Sequence, residues 1–240
     1  MSETQALLDA VRHALRSEPR IRLETHPIHL ALDGGDLAME GEVADIAAKK
    51  LALERAAAVI SGPRILDRLR VRPAERMADG QVRDLLRDAL VSETAFADCS
   101  IRVWVKDRFE AAQQRAAATG SIDVRVEDGV VTLDGDVPGL VLKRLAGVLA
   151  WWVPGSRDVV NGLGVTPPEE DNDETMTDAV RVALEKDPFV NAEQIRVATR
   201  NAAVTLSGLV PTESEREMAE FDAWYVFGVD KVLNRIEVRA

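Results

Sequence analysis

The chain is poor in the residues on which most catalytic and metal sites depend. Among its 240 residues there is one cysteine, Cys99, and there are three histidines, His13, His26 and His29. A single cysteine allows no internal disulfide, so an oxidising compartment leaves no mark. Cys99 has no CxxC partner and no histidine near it in sequence, which fits an ordinary buried residue better than a reactive thiol. His26 and His29 stand three apart on the approach to a strand and point to opposite faces, whereas a metal needs convergent ligands. No GxxxxGK[ST] phosphate loop occurs, and Gly34-Gly35 reads as a turn. The paired acids Glu169-Glu170 lie in a polar linker, where nothing desolvates them to tune a pKa. The expectation is a non-enzymatic chain without cofactor or metal.

Cationic surplus is also missing. Lys and Arg number 30 against 41 Asp and Glu, a net charge of −11. That argues against nucleic acid as a partner and against whole-surface attraction to anionic lipid, leaving room only for a local basic patch. No apolar run approaches the 18 residues of a membrane-spanning helix. The opening MSETQALLDAVRHALRSEP has neither a basic n-region nor an apolar h-region. The cytoplasm is therefore the expected location, or the periplasm had a signal been removed beforehand.

What the chain does have is a gapless repeat. Ile122–Val165 recurs as Ile28–Val71 and as Ile195–Val238, each 44 residues long, and the last two copies share 16 identical positions. Internal repeats decide architecture before any single residue does. Upstream of each block lies a similar amphipathic segment, Asp9–Leu15, Asp84–Leu90 and Asp178–Leu184. Within the block, apolar residues alternate (Ile122, Val124, Val126, then Val131, Leu133), the mark of strands with one buried face. Asp33–Asp36, Glu127–Gly129 and Asn201-Ala202 supply hairpin turns, the third of another type because it lacks glycine. Gly41, Gly135 and Gly208 share a position suited to a bend or a close backbone approach. A second helix follows, capped by Asp45 in the first copy and by a Thr212–Glu215 capping box in the third. Gly155 and Gly228 fit as helix-terminating glycines, and the block closes on a strand such as Val159–Val165.

The expected fold class is α+β, with tandem two-layer α-β-β-α-β modules, each of two helices on a small three-stranded sheet. The boundaries are module 1 at 1–73, module 2 at 74–168 with an insertion at about 101–121, and module 3 at 169–240. The acidic, proline-containing stretch 167–174 reads as an extended, solvated spacer. The insertion of about 21 residues holds a predicted helix, Arg108–Thr119, and duplicates a strand: Ile101–Asp107 and Ile122–Asp128 both fit its role. An extra strand or an alternative edge is expected there.

The run Val131-Thr-Leu133-Asp-Gly135-Asp-Val137, then Gly155, then Val159-Val-Asn161-Gly-Leu163-Gly-Val165 resembles the BON domain, a bacterial module named for osmotic-stress and nodulation proteins. Val204–Val210, Gly228 and Val232–Val238 resemble it equally. The first copy is degenerate, with Ser61 in place of the glycine and Asp67 in place of the asparagine. The resemblance implies a non-catalytic binding module in osmotic or envelope stress, with phospholipid membrane or another envelope protein as partner. A soluble ligand or ion sensor and a protein-interaction scaffold are the alternatives.

Two sets of residues stand out as candidate contacts. Trp151-Trp152 and Trp224-Tyr225 occupy equivalent positions late in the second helix, suited either to a headgroup anchor or to packing between modules. Arg102, Trp104, Lys106 and Arg108, with Arg115, form a locally basic stretch, and alternation places the first three on one strand face. That face is either a binding surface for lipid or partner, or a solvated strand surface.

Overall fold

A computed structural model describes residues 3–60 and 62–239; Ser61, the departure from the repeat noted above, lies outside them. The chain divides into two compact units, Met1–Arg72 and Pro73–Ala240. The first holds module 1, and modules 2 and 3 together make the second.

In the first unit, α1 (Glu3–Arg16) is followed by β1 (His29–Asp33), β2 (Asp36–Val43), α2 (Ile46–Ala57) and β3 (Ile65–Val71). The sheet order is β1-β2-β3, antiparallel then parallel. Asp45 caps α2 by accepting from the Ala48 N–H at 2.8 Å. Val11 and Leu15 of α1, Ala52 and Ala56 of α2, and Leu37, Met39 and Leu69 of the sheet are buried. Fully burying one such aliphatic side chain is worth about 1.5–3 kcal/mol.

The second unit continues with α3 (Asp79–Ser92), β4 (Cys99–Val105), β5 (Arg108–Gln113), β6 (Gly120–Glu127), β7 (Val130–Val137), α4 (Leu140–Trp152), β8 (Asp158–Asn161) and β9 (Gly164–Val165). Module 3 follows as α5 (Asp173–Lys186), β10 (Ile195–Arg200), β11 (Ala203–Val210), α6 (Glu213–Tyr225) and β12 (Lys231–Val238). Module 3 has the three-stranded order β10-β11-β12.

Module 2 departs from that plan. Its sheet has six strands, ordered β5-β4-β6-β7-β8 with β9 also on β7. Both candidate first strands are used: β4 and β6 run parallel, with Ile101 beside Ile122 and Val103 beside Val124. The helix predicted over Arg108–Thr119 is not formed; Arg108–Gln113 is a strand that hairpins onto β4. Pairing across the hairpin sets Phe109 opposite Trp104 and Ala111 opposite Arg102, and that contact outweighs the helical preference of the Glu-Ala-Ala-Gln run.

All four hairpins turn through two residues with positive φ: Gly34-Gly35, Lys106-Asp107, Asp128-Gly129 and Asn201-Ala202. That is the primed turn whose twist matches antiparallel strands. The third copy's turn is therefore of the same kind as the others, with Ala202 held at φ 58°. A carboxylate from the first helix of the module holds it there. Asp173 accepts from the N–H groups of Asn201 and Ala202, as Asp79 does from Asp128 and Gly129.

Gly135 and Gly208 sit at positive φ where a Cβ would strike the carbonyl oxygens of Ser121 in β6 and of Gln194 just before β10. Gly41 faces Pro27 in the same way. Gly155 serves a different purpose from the helix stop expected of it: α4 already ends at Trp152, and a Cβ on Gly155 would fall on Met77 and Val82. Gly228, at φ 90°, lies in the turn beyond α6. Half of the Thr212–Glu215 box is formed, since Thr212 accepts from the Glu215 N–H while the Glu215 carboxylate accepts from Asn191 N–H instead.

The repeat's asparagine ties the closing strand to the second helix. Asn161 donates to the Lys143 carbonyl and Asn234 to the Arg216 carbonyl. Module 1 has Asp67 there, which cannot donate. Lys49, aligned with Lys143, is buried and reaches Asp67 at 3.0 Å and the Leu69 carbonyl at 2.9 Å. A Lys–Asp pair thus replaces the asparagine bridge.

Candidate functional site

The two helices of module 2 cover one face of its sheet with Ile101, Val103, Ile122, Val124, Val131 and Leu133 beneath them. Alternation sends Arg102 and Trp104 to the opposite face. There Trp104 meets Phe109 edge to face, with ring centroids 4.9 Å apart. Two guanidiniums complete the patch: Arg125 lies 4.2 Å from the Trp104 ring centroid and Arg102 lies 5.1 Å from that of Phe109. Each arginine also has an acidic partner, Asp123 for Arg102 and Glu127 for Arg125. Arg108, at the start of β5, pairs with Glu110. Lys106 does not share the Arg102–Trp104 face; it is a turn residue between β4 and β5, at φ 46°. The face is therefore aromatic and arginine-bearing, with its charges locally balanced. Arg115 is turned back onto the Ala97 carbonyl.

The second candidate set lies where the helices of modules 2 and 3 meet. Trp151 stacks on Tyr225, with centroids 5.8 Å apart and 16° between planes. The Trp152 indole N–H donates to Asp222 Oδ1 at 2.8 Å. Trp224 is 2% exposed. Trp224 is thus a packing residue, whereas Trp151, Trp152 and Tyr225 are held by partners within the protein and stay half-buried.

Two residues at that junction had no signal in the repeat. Arg144 is fully buried and donates to Asp171, to the Phe227 carbonyl and to Thr175. Asp222 is 2% exposed; burial, then the charge of Asp187, pushes its pKa up to about 8 against the lowering effect of the Trp152 hydrogen bond. The acidic stretch is exposed, as a solvated spacer is, but it is tethered to α4 at two points. Glu169 accepts from the Leu140 N–H at the start of α4, and Asp171 holds Arg144. A carboxylate at a helix N-terminus satisfies an orphan donor and complements the helix dipole, which is why Glu169 is held there while its stretch stays exposed.

Among the described residues no group of His, Cys, Asp and Glu is placed to hold a metal ion. Burial pushes the Cys99 thiol up, away from the reactive thiolate. No helix among the described residues is long and apolar enough to cross a membrane.

Comparison with known proteins adds four findings. The family model described as BON domain matches residues 97–167 and 172–240. Osmotically-inducible protein Y of Escherichia coli is 29% identical over 124 residues, 49% of this chain and 62% of that protein. Outer membrane lipoprotein DolP of Haemophilus influenzae is 32% identical over 120 residues, 48% of this chain and 62% of that protein. The match thus spans less than two thirds of either relative. Among solved structures, the C-terminal domain of CdsD, a structural protein of the type III secretion system of Chlamydia trachomatis, aligns over 98% of both chains at 13% identity. Its TM-score of 0.26 is too low to carry an argument.

Proposed function

The chain belongs to the BON domain family, and on that premise we propose that it is a non-catalytic binding protein of osmotic or envelope stress that docks on phospholipid membrane. The observation that carries this reading is the outer face of module 2. Trp104 supplies an amphipathic ring of the kind that settles at a headgroup layer, Phe109 an apolar one beside it, and Arg102 and Arg125 supply guanidiniums that match phosphate. Phe109 is 37% exposed, and the Arg102 and Arg125 side chains 51% and 42%. The two relatives add support, one named as osmotically inducible and the other as an outer membrane lipoprotein. With a net charge of −11 and an acid beside each arginine, attraction to anionic lipid needs Arg102 and Arg125 to exchange Asp123 and Glu127 for phosphate, and it must weaken with salt.

Flotation of the full chain with phosphatidylglycerol and phosphatidylcholine vesicles at low salt tests the reading. The expected result is recovery with the anionic vesicles and loss of recovery as salt is raised. Each arginine near a membrane surface contributes about 1 kcal/mol, so Arg102→Ala with Arg125→Ala weakens binding by roughly 30-fold. Failure of the anionic vesicles to lift the wild-type chain overturns the proposal.

A second reading has its own observation. β5 is the end strand of the module 2 sheet, so one side of its backbone faces no neighbouring strand in that sheet. An extended segment of an envelope protein can add there. That partner would be indifferent to vesicle charge.

A further inference from the structure

Asp222 is an acid placed where a carboxylate is hard to keep. It projects from the last turn of α6, at the negative end of the helix dipole, into the packed helices of modules 2 and 3. From α4 it is faced by the uncharged indole of Trp152, which donates to Oδ1 at 2.8 Å. From the C-terminus of α5 it is faced by a second carboxylate, Asp187. Lys186, the cation beside Asp187 in the chain, is directed elsewhere, onto Glu93 of module 2 at 2.7 Å. The last turn of α6 contains no basic residue. Oδ2 of Asp222 is buried and meets no donor. Two carboxyl groups facing one another, one of them buried without a cation, are satisfied by a proton held between them.

We propose that Asp222 is a proton-controlled latch between modules 2 and 3. Protonated, it donates to Asp187 while accepting from Trp152, and so bridges α5 of module 3 to α4 of module 2. Its proton lost to water, the site holds two facing negative charges in a dry interface. The Trp152 contact and the neighbouring Trp151–Tyr225 stack then loosen together. The carboxyl keeps its proton in the folded protein up to about pH 8, whereas the unfolded chain releases it near the ordinary value of 3.8. Between those limits the folded state binds one proton more than the unfolded. The contribution of the latch to stability is therefore complete at acid pH and declines as pH rises across that window. The half-buried aromatic pair of the two second helices becomes more accessible on the alkaline side.

Carboxyl-carbon NMR of the aspartates in the full wild-type chain tests this directly. The Asp222 carbon is expected to titrate near 8. Asp187→Asn moves that midpoint toward the ordinary range by removing the facing charge. Asp222→Asn, whose amide mimics the protonated acid, melts with wild type only below the ordinary value of 3.8 and increasingly above wild type as pH rises toward 9. Quenching of tryptophan fluorescence by acrylamide rises with pH in the wild type and stays flat in Asp222→Asn. An Asp222 carbon that titrates near 4 overturns the proposal without any variant, and so does a melting profile that Asp222→Asn leaves unchanged.

Discussion

The guanidinium of Arg144 and the carboxylate of Asp171 meet at 2.6 Å where the acidic stretch crosses from module 2 to module 3, the first fully buried and the second 49% exposed. The asymmetry decides how the pair responds to mutation. Removing the acid leaves a cation buried among helices, whereas removing the cation leaves an acid that water can solvate. Asp171→Ala is expected to cost about 3 kcal/mol, and Arg144→Met less than Asp171→Ala, because breaking a buried pair from the exposed side strands the charge. Urea unfolding of the full chain measures both, and equal losses would contradict the buried-charge account.

The hairpin of module 3 holds an alanine at φ 58° where module 2 has Gly129. A left-handed conformation costs a residue with a Cβ roughly 1–2 kcal/mol. Ala202→Gly should therefore raise stability by about 1 kcal/mol, part of the gain being offset by the greater freedom of glycine in the unfolded chain. Asp173→Ala removes the acceptor of two turn N–H groups and should cost about 1–2 kcal/mol. Thermal unfolding of the two variants should move in opposite directions.

Gln113 fastens the inserted hairpin. Its buried amide donates to the Phe96 carbonyl at 2.9 Å and the Cys99 carbonyl at 2.7 Å. Gln113→Leu leaves both carbonyls without that donor, a loss of about 1–3 kcal/mol for each buried group left unsatisfied. Hydrogen exchange should show the amides of β5 opening faster while those of β7 keep their protection. If β5 and β7 loosen equally, the insertion is part of the main cooperative unit rather than an appended edge.

Glu93 and Lys186 join α3 of module 2 to the end of α5 in module 3. Burial pushes the Glu93 pKa up, but the Lys186 ammonium, the Ala95 N–H and the Thr94 hydroxyl outweigh it and hold the group below the usual carboxylate range. A depressed carboxylate stabilises above its unfolded value, and the contribution is lost as pH falls through the folded one. With Lys186 36% exposed, Lys186→Ala should cost at most about 1 kcal/mol near neutrality and nothing once Glu93 is protonated. Melting curves of wild type and variant should therefore converge in acid. This acid-side loss has the opposite sign to that of Asp222, so the two contributions together are largest just above the Glu93 titration and fall as pH rises toward that of Asp222.

The three-copy repeat, the order of helices and strands, the Asp45 cap and the close approach at Gly135 and Gly208 could be read in advance because each is written in consecutive residues. A period of two in Ile122, Val124 and Val126 or a glycine at a crowded crossing constrains the backbone wherever the rest of the chain lies. The two tryptophan-bearing positions were also visible as a matched pair. Their partners were not, because Asp222 is 70 residues from Trp152 and looks in sequence like any acid on a helix.

Tertiary structure decided the rest. Arg108–Gln113 has local propensity for a helix and becomes a strand because Phe109 finds Trp104 across a primed turn. Glu169 and Asp171 have the composition of a solvated linker and are tethered because α4 presents an orphan N–H at its start and a buried guanidinium one turn further on. Lys49 and Asp67 replace an asparagine bridge by pairing across 18 residues of sequence. A charged side chain carries no local record of what will desolvate or pair with it. Its role depends on which group the fold sets opposite, and that is a property of three-dimensional neighbours rather than of sequence period.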